Sequence, residues 1–332
     1  MKINIPYYED SSRISNSSLG WFINKGPRYF RDMLDGKEEG LKLPQLEKGT
    51  MIHEYILQPE IFWDNHTILD FEVPKVKQQK ELLEYYKELT LVNPLESPDM
   101  LKLQAYKKAY SNSKSDDKCL EETNALLARY SSYIEYLDKM KDTKKIISFA
   151  DLNMLKKIKQ NLDEHCAAKE LLKDIPGEEA HNEFHINWEY PIKDKDWIAP
   201  CKSLLDRVKF DHVNRKITLI DLKTTSDVYN FKHSVEIYDY YRQIAYYIMA
   251  ITWYMNDLGI DISDYDLEAY IIAVQTNGNY EVRVFNMKNE QELVTRATLI
   301  INILSELAYH YQTGNWDHTR NYYENYGIDE LN

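Results

Sequence analysis

Apolar positions fall at helical spacing through Leu19, Phe22 and Ile23, behind a cap-like Ser15 and Ser17. Residues 13 to 34 therefore read as a helix that breaks at Gly26-Pro27 and resumes as a second short one. Residues 46 to 58 predict another helix. From about 74 to 175 the pattern is helical throughout, with Pro94 and Pro98 marking a loop inside it. Ser148 and Asp151 hold capping-box spacing, with aspartate for the usual glutamate, and open a helix through Leu152, Leu155 and Ile158. Near residue 183 the pattern turns to that of strands. Residues 184–192, 198–210 and 217–225 have strand character, and the polar stretch 211–216 reads as the hairpin turn between the last two. A long helix follows at 233–257. Segments 269–274 and 280–285 then flank Thr276-Asn277-Gly278-Asn279, a strong hairpin signal, and a last amphipathic helix covers 290–311. The order predicts an α/β fold with a mixed central sheet flanked by helices.

Chemistry concentrates in the hairpin. Successive strand residues face opposite sides, so Asp221 and Lys223 project to one face of a segment that is otherwise apolar at Leu219, Ile220 and Leu222. Unpaired charges are rare in a buried strand, so these two interrupt it for a reason. The polar turn lies midway between residues 206 and 221, so a symmetric hairpin sets Asp206 opposite Asp221. Like charges in that position repel. A divalent cation between the carboxylates relieves the repulsion, and a neighbouring lysine can position water or stabilise negative charge.

Composition narrows the class. With 332 residues, 43% hydrophobic and 29% charged, the chain is globular and long for a single core. One domain is expected over 1–332: N-terminal core helices over 1–60, a helical insertion over 61–145, a core carrying the hairpin over 146–315 and a tail over 316–332. A net charge of -13 argues against a protein that coats nucleic acid by bulk attraction, while leaving room for a local basic channel. The three cysteines, Cys119, Cys166 and Cys201, lie far apart and are expected to be reduced. The segment 244–255 is too short to span a bilayer, and the first residues lack a secretory apolar run, so a cytoplasmic location is expected.

The series Gly49-x-x-x-His53, Glu183, Lys202-x-x-x-Asp206, Asp221-x-Lys223-Thr224-Thr225 and Gln243-x-x-x-Tyr247 resembles the PD-(D/E)XK nuclease superfamily, and within it the RecE-type phage exonucleases. The likeness extends to Ile14-Ser15-x-Ser17, Pro27 and residues 147–189, whereas 60–145 looks unshared. It implies metal ligation by Asp206, Asp221, His53 and the backbone carbonyl of Leu222, with Lys223 as the catalytic lysine. Gln243 and Tyr247, one helical turn apart, would line the site. Glu183 would either bind a second metal or orient a water. On the residues alone, His53 also fits a core histidine, Gln243 and Tyr247 fit packing positions, and His181 or His185 could partner Glu183. Where the family often carries arginine two residues before the first aspartate, Leu204 stands.

The resemblance implies Mg2+, replaceable by Mn2+, and digestion of linear double-stranded DNA from its ends, 5' to 3', in phage recombination or replication. A trimer or tetramer and a single-strand annealing partner go with it. Lys202 and Arg207 are the expected phosphate contacts, and Lys75, Lys77, Lys80, Lys107 and Lys108 add positive charge in the insertion. An iron–sulfur nuclease needs four cysteines, one more than the chain has. The remaining alternative is a catalytically idle scaffold or DNA-binding protein of a phage assembly, in which the two aspartates and the lysine would have no reason to persist together.

Overall fold

Between residues 179 and 225, Ile186, Trp188, Leu205, Val208, Phe210, Ile217 and Leu219 are all buried, and the segment folds as three consecutive antiparallel strands. The computed structural model describes residues 5–38, 44–68, 71–111, 114–139, 144–193 and 195–328. Along the chain run α1 (Asn16–Leu34), α2 (Pro44–Leu57), α3 (Pro59–Asn65), β1 (His66–Ile68), α4 (Lys77–Val92), α5 (Pro98–Ala109), α6 (Asp116–Arg129), α7 (Ser131–Lys139) and β2 (Lys145–Ile147). They are followed by α8 (Phe149–Glu164), α9 (Cys166–Leu172), β3 (Glu179–Ile192), β4 (Trp197–Asp211), β5 (Lys216–Thr225), α10 (Phe231–Ile237) and α11 (Tyr240–Asp257). The chain closes with β6 (Asp266–Gln275), β7 (Val282–Asn286), α12 (Glu290–Thr313) and α13 (Arg320–Glu324).

Two compact units emerge: Met1–Pro59 with Met154–Asn332, and Glu60–Asn153. The first holds a five-stranded sheet in the order β3-β4-β5-β6-β7, parallel only between β5 and β6. The parallel step is bridged by α10 and α11. Ile244, Ala245, Tyr246, Tyr247, Ala250, Ile251 and Met255 on α11 join Ile300, Ile303, Leu304 and Leu307 on α12 in one core with the buried strand residues. The second unit packs Leu82, Leu83, Tyr106, Cys119, Tyr130 and Tyr133, and pairs β1 with β2 in parallel. That three-residue pair interrupts the helical run expected over 74–175, because partners this short and this distant leave no periodic trace.

The start of α1 is fixed twice. Ser15 and Ser18 form a reciprocal capping box, so Ser18 and not Ser17 completes it. Just before it, Ile14 bridges to Cys201 on β4: its N–H donates to Pro200 at 2.8 Å and its carbonyl accepts from the Lys202 N–H at 2.8 Å and the Tyr246 hydroxyl at 2.6 Å. The helix expected over 233–257 is broken. Asp239 sits in the left-handed region at φ 49°, its carboxylate held by Arg296 at 2.7 Å and Arg242 at 3.5 Å, and α11 begins after it. Ser148 and Asp151 make the expected mutual bonds ahead of α8. Cys119 and Cys201 are buried, Cys166 is exposed, and all three are free. No helix among the described residues is long and apolar enough to cross a membrane.

Helix α2 is tied down at both ends. The Lys48 ammonium donates to the Thr276 carbonyl at 2.9 Å, and the Leu57 carbonyl accepts from the Asn182 amide at 2.8 Å. Between these anchors, a Cβ on Gly49 would stand 3.2 Å from the Thr224 hydroxyl of β5. Glycine thus sets how closely α2 approaches the sheet. Gly49→Val is expected to push the helix off β5 and to destabilise the fold by about 1–3 kcal/mol, with partial recovery on adding Thr224→Ala. Thermal melts that find Gly49→Val as stable as the parent would contradict this close approach.

Candidate active site

Strands β3 and β4 hold a single register from Glu179↔Phe210 to Ile192↔Trp197, with one lapse. Asn182 pairs with Arg207 and Phe184 with Leu205, so the missing position is Glu183 opposite Asp206. Strands β4 and β5 pair from Asp211↔Lys216 to Arg207↔Ile220 and then stop. The next position in that register is Asp206 opposite Asp221. Glu183, Asp206 and Asp221 therefore stand abreast on three neighbouring strands, and the backbone ladder fails on both sides of the middle one.

Local geometry answers to this row. Glu183 takes φ 49°, a left-handed conformation that costs a non-glycine residue about 1–3 kcal/mol. With the β4–β5 ladder ended, the Leu222 N–H donates to the Asp206 carboxylate at 2.7 Å in place of a main-chain carbonyl. Like charges directly opposite one another repel, which explains why the β3–β4 ladder lapses at this level and the β4–β5 ladder ends at it.

Other elements converge on the row. From α2, the His53 Nδ1 lies 3.6 Å from the Asp206 carboxylate, and the ring is hydrogen-bonded to the Leu222 backbone. The Lys223 ammonium is 2.5 Å from Asp221, itself 1% exposed, and lies 5.1 Å from the centre of the Tyr240 ring. From α11, the Gln243 amide donates to the other Asp221 oxygen at 3.0 Å and to the Tyr247 hydroxyl at 2.9 Å. His181 and His185 do not reach Glu183: they bond Glu179 and Asn187.

Burial decides the electrostatics. It is the first cause that pulls His53 down to about 4, with Lys223 adding to it, so the imidazole is neutral at pH 7. Burial also raises Asp206, and it lifts Asp221 to about 6 against the pull of Lys223. Glu183 rises to about 7 through burial and then the charges of Asp206, Glu54 and Asp221. For Lys223, burial works against the charged form, but Asp221 and Asp206 outweigh it and hold the ammonium charged.

The donor set fits a divalent cation. Ligand atoms of His53, Glu183 and Asp206 all lie within 4.8 Å of one another, combining a neutral imidazole with hard oxygen donors. Asp221 stands outside that cluster, its two oxygens engaged by Lys223 and Gln243. Glu183, expected only as an accessory, is thus nearer the gathered atoms than Asp221.

The expected phosphate contacts need correction. The Lys202 ammonium is buried and donates to the carbonyls of Tyr7 and Asp10 at 2.6 and 2.5 Å, so it pins the N-terminal segment. Arg207, 3% exposed, bonds Asn182, Asp174 and the carbonyls of Leu171 and Lys173. Neither is available to a phosphate. In the other unit, Lys77, Lys80, Lys107 and Lys108 each face a carboxylate, from Glu81, Glu84, Asp116 and Glu88. Sequence reading missed Tyr240, which packs against Lys223, and the N-terminal Tyr7-Tyr8. Only their aromatic content offered a signal.

No family model matches the chain, and no curated protein matches it in sequence. Among solved structures, a protein from Eubacterium rectale whose exonuclease name is provisional superposes with a TM-score of 0.50 at 11% identity, over 100% of this chain and 96% of its own. The likeness is one of fold. A second structure, SSO0001, covers 68% of this chain and 84% of its own at 13% identity, but its TM-score of 0.27 is too low to bear on the architecture.

Raised carboxylates fix the sign of a pH effect. Between the unfolded value near 4.5 and the folded value near 7, Glu183 keeps a proton in the native state that the unfolded chain has released. Its contribution to stability is complete below 4.5 and is lost as pH rises through 7. In chelator, the parent is expected to lose on the order of 1–2 kcal/mol more than Glu183→Gln between pH 5 and pH 8. Parallel stability profiles for the two proteins would show that Glu183 titrates normally.

Proposed function

We propose that this chain is a divalent-metal-dependent deoxyribonuclease built on a PD-(D/E)XK core. The observation that carries the proposal is the row Glu183–Asp206–Asp221, at which both strand ladders lapse and onto which His53, Lys223 and Gln243 are directed. A protein stores repulsion of this kind where function uses it. The provisional exonuclease name of the E. rectale protein agrees with the reading.

In this reading His53, Glu183 and Asp206 hold the cation, joined by Asp221 and the Leu222 carbonyl. When bound, Mg2+ or Mn2+ would neutralise the row, polarise a phosphodiester oxygen and activate water for attack on phosphorus. The chain's own groups do the rest. Lys223, held charged against Asp221, meets negative charge developing on the phosphoryl group. Gln243 donates to Asp221 and is itself bonded to Tyr247, so together with the Lys223 ion pair it holds the carboxylate by both oxygens before any ligand arrives. His53, neutral at pH 7, offers a lone pair without first losing a proton. The finer reading carried with the proposal is end-dependent 5'-to-3' digestion of linear DNA by a trimeric or tetrameric ring, in phage recombination and beside an annealing protein.

Release of acid-soluble nucleotides from linear DNA tests the proposal. It is expected with Mg2+ and absent in chelator. Lys223→Ala is expected to lower the rate by at least about a hundredfold, while the metal-induced rise in melting temperature survives. Metal-independent release, or a Lys223→Ala protein within a few-fold of the parent, would remove the lysine and the cation from the chemistry.

A further inference from the structure

If the row cleaves DNA, something must bring the strand to it, and three cations near it are held by the protein's own groups. Lys202 and Arg207 serve the protein's own carbonyls and amides, and Lys223 is paired with Asp221. Exposed aromatic rings stand beside the site instead. The chain holds 27 tyrosines, and two of the most open ones, Tyr8 at 85% and Tyr238 at 63% exposure, sit by opposite ends of the row.

Each ring rests on a firm mount. Tyr8 lies in a turn in which the N–H groups of Glu9 and Asp10 both donate to the Pro6 carbonyl, and Lys202 pins the turn through Tyr7 and Asp10. The Tyr7 ring meets Tyr8 edge-on at 5.1 Å and His185 of β3 at 5.4 Å, two residues beyond Glu183. The Tyr8 phenol feels the site: its pKa is raised by desolvation, then by the charges of Glu183, Asp206 and Glu54. At the other end, Tyr238 stacks on Tyr240 with centroids 5.8 Å apart, and Tyr240 stacks on Phe231 at 5.8 Å and lies against Lys223.

Exposed single tyrosines are common on protein surfaces and need no function. Two of them bracketing one carboxylate row, each backed by a second tyrosine that contacts the site or its strands, are a different matter. Stacked bases bind to such rings without regard to sequence, but only where the bases are unpaired.

We propose that DNA reaches the row as an unpaired strand, its bases stacked on Tyr8 at the Glu183–Asp206 end and on Tyr238 at the Asp221–Lys223 end. The substrate is then single-stranded DNA, or a duplex end that has frayed. This deepens the nuclease reading and rests on it for the location of the chemistry. Because stacking carries the affinity, binding should depend only weakly on salt compared with proteins that neutralise many phosphates.

The test uses the intact chain in chelator and a single-stranded oligonucleotide carrying 2-aminopurine, whose fluorescence is quenched by stacking. Quenching is expected on binding, with Tyr8→Ala and Tyr238→Ala each raising Kd on the order of tenfold, and Tyr8→Phe and Tyr238→Phe staying close to the parent. A duplex with both ends closed by hairpin loops is expected to bind more weakly than the single strand. Alanine variants that bind like the parent, or an end-closed duplex that binds as tightly as the single strand, overturn the proposal. Should either alanine variant melt early, the serine variant at the same position replaces it in the comparison. Binding is read without metal, so a parent that quenches the probe but releases no nucleotides with Mg2+ sinks the nuclease reading and leaves strand binding standing.

Discussion

Repulsion among three carboxylates on adjacent strands is the constraint to which the rest of the core unit answers. Glu183, Asp206 and Asp221 occupy one level of the sheet, and a regular ladder would press them together. The chain instead opens the ladder at that level, bends Glu183 into a left-handed conformation and gives the Leu222 N–H to a side chain. Between β3 and β4 the pairs on either side keep their register, whereas the β4–β5 ladder ends at the row. Buried residues on β4 and β5 hold these strands within the sheet around the row.

A second consequence concerns where positive charge resides. The chain is acidic overall, and the buried cations near the sheet each hold the fold together. Lys202 fixes the N-terminal turn, Arg207 gathers the segment from Leu171 to Asp174, and Arg242 reaches the Asn16 carbonyl of α1. Burying a guanidinium or an ammonium is tolerated because carbonyls and carboxylates meet it. Lys223 brings its charge to the row, and the row's own negative charge keeps it there.

Much of this was legible from local pattern. The polar turn at 211–216 between two apolar runs set the hairpin register correctly, because a period of two admits no slip without turning the apolar face outward. The four-residue spacings of Gly49 with His53 and of Gln243 with Tyr247 likewise anticipated which side chains share a face. What escaped depends on residues distant in sequence. Lys202 looked free because its acceptors, Tyr7 and Asp10, lie some 190 positions away. Asp239 breaks a helix that periodicity carries straight through, because Arg296 on α12 holds its carboxylate. The prominence of Glu183 comes from a register between β3 and β4 that no local motif announces.

The central claim is that a divalent cation belongs in this row, and anomalous diffraction from crystals grown with Mn2+ tests it most directly. The account predicts a manganese peak bounded by His53, Glu183 and Asp206, with Asp221 or the Leu222 carbonyl turned toward it. A well-ordered row without manganese, or a peak at a different group of residues, would contradict it.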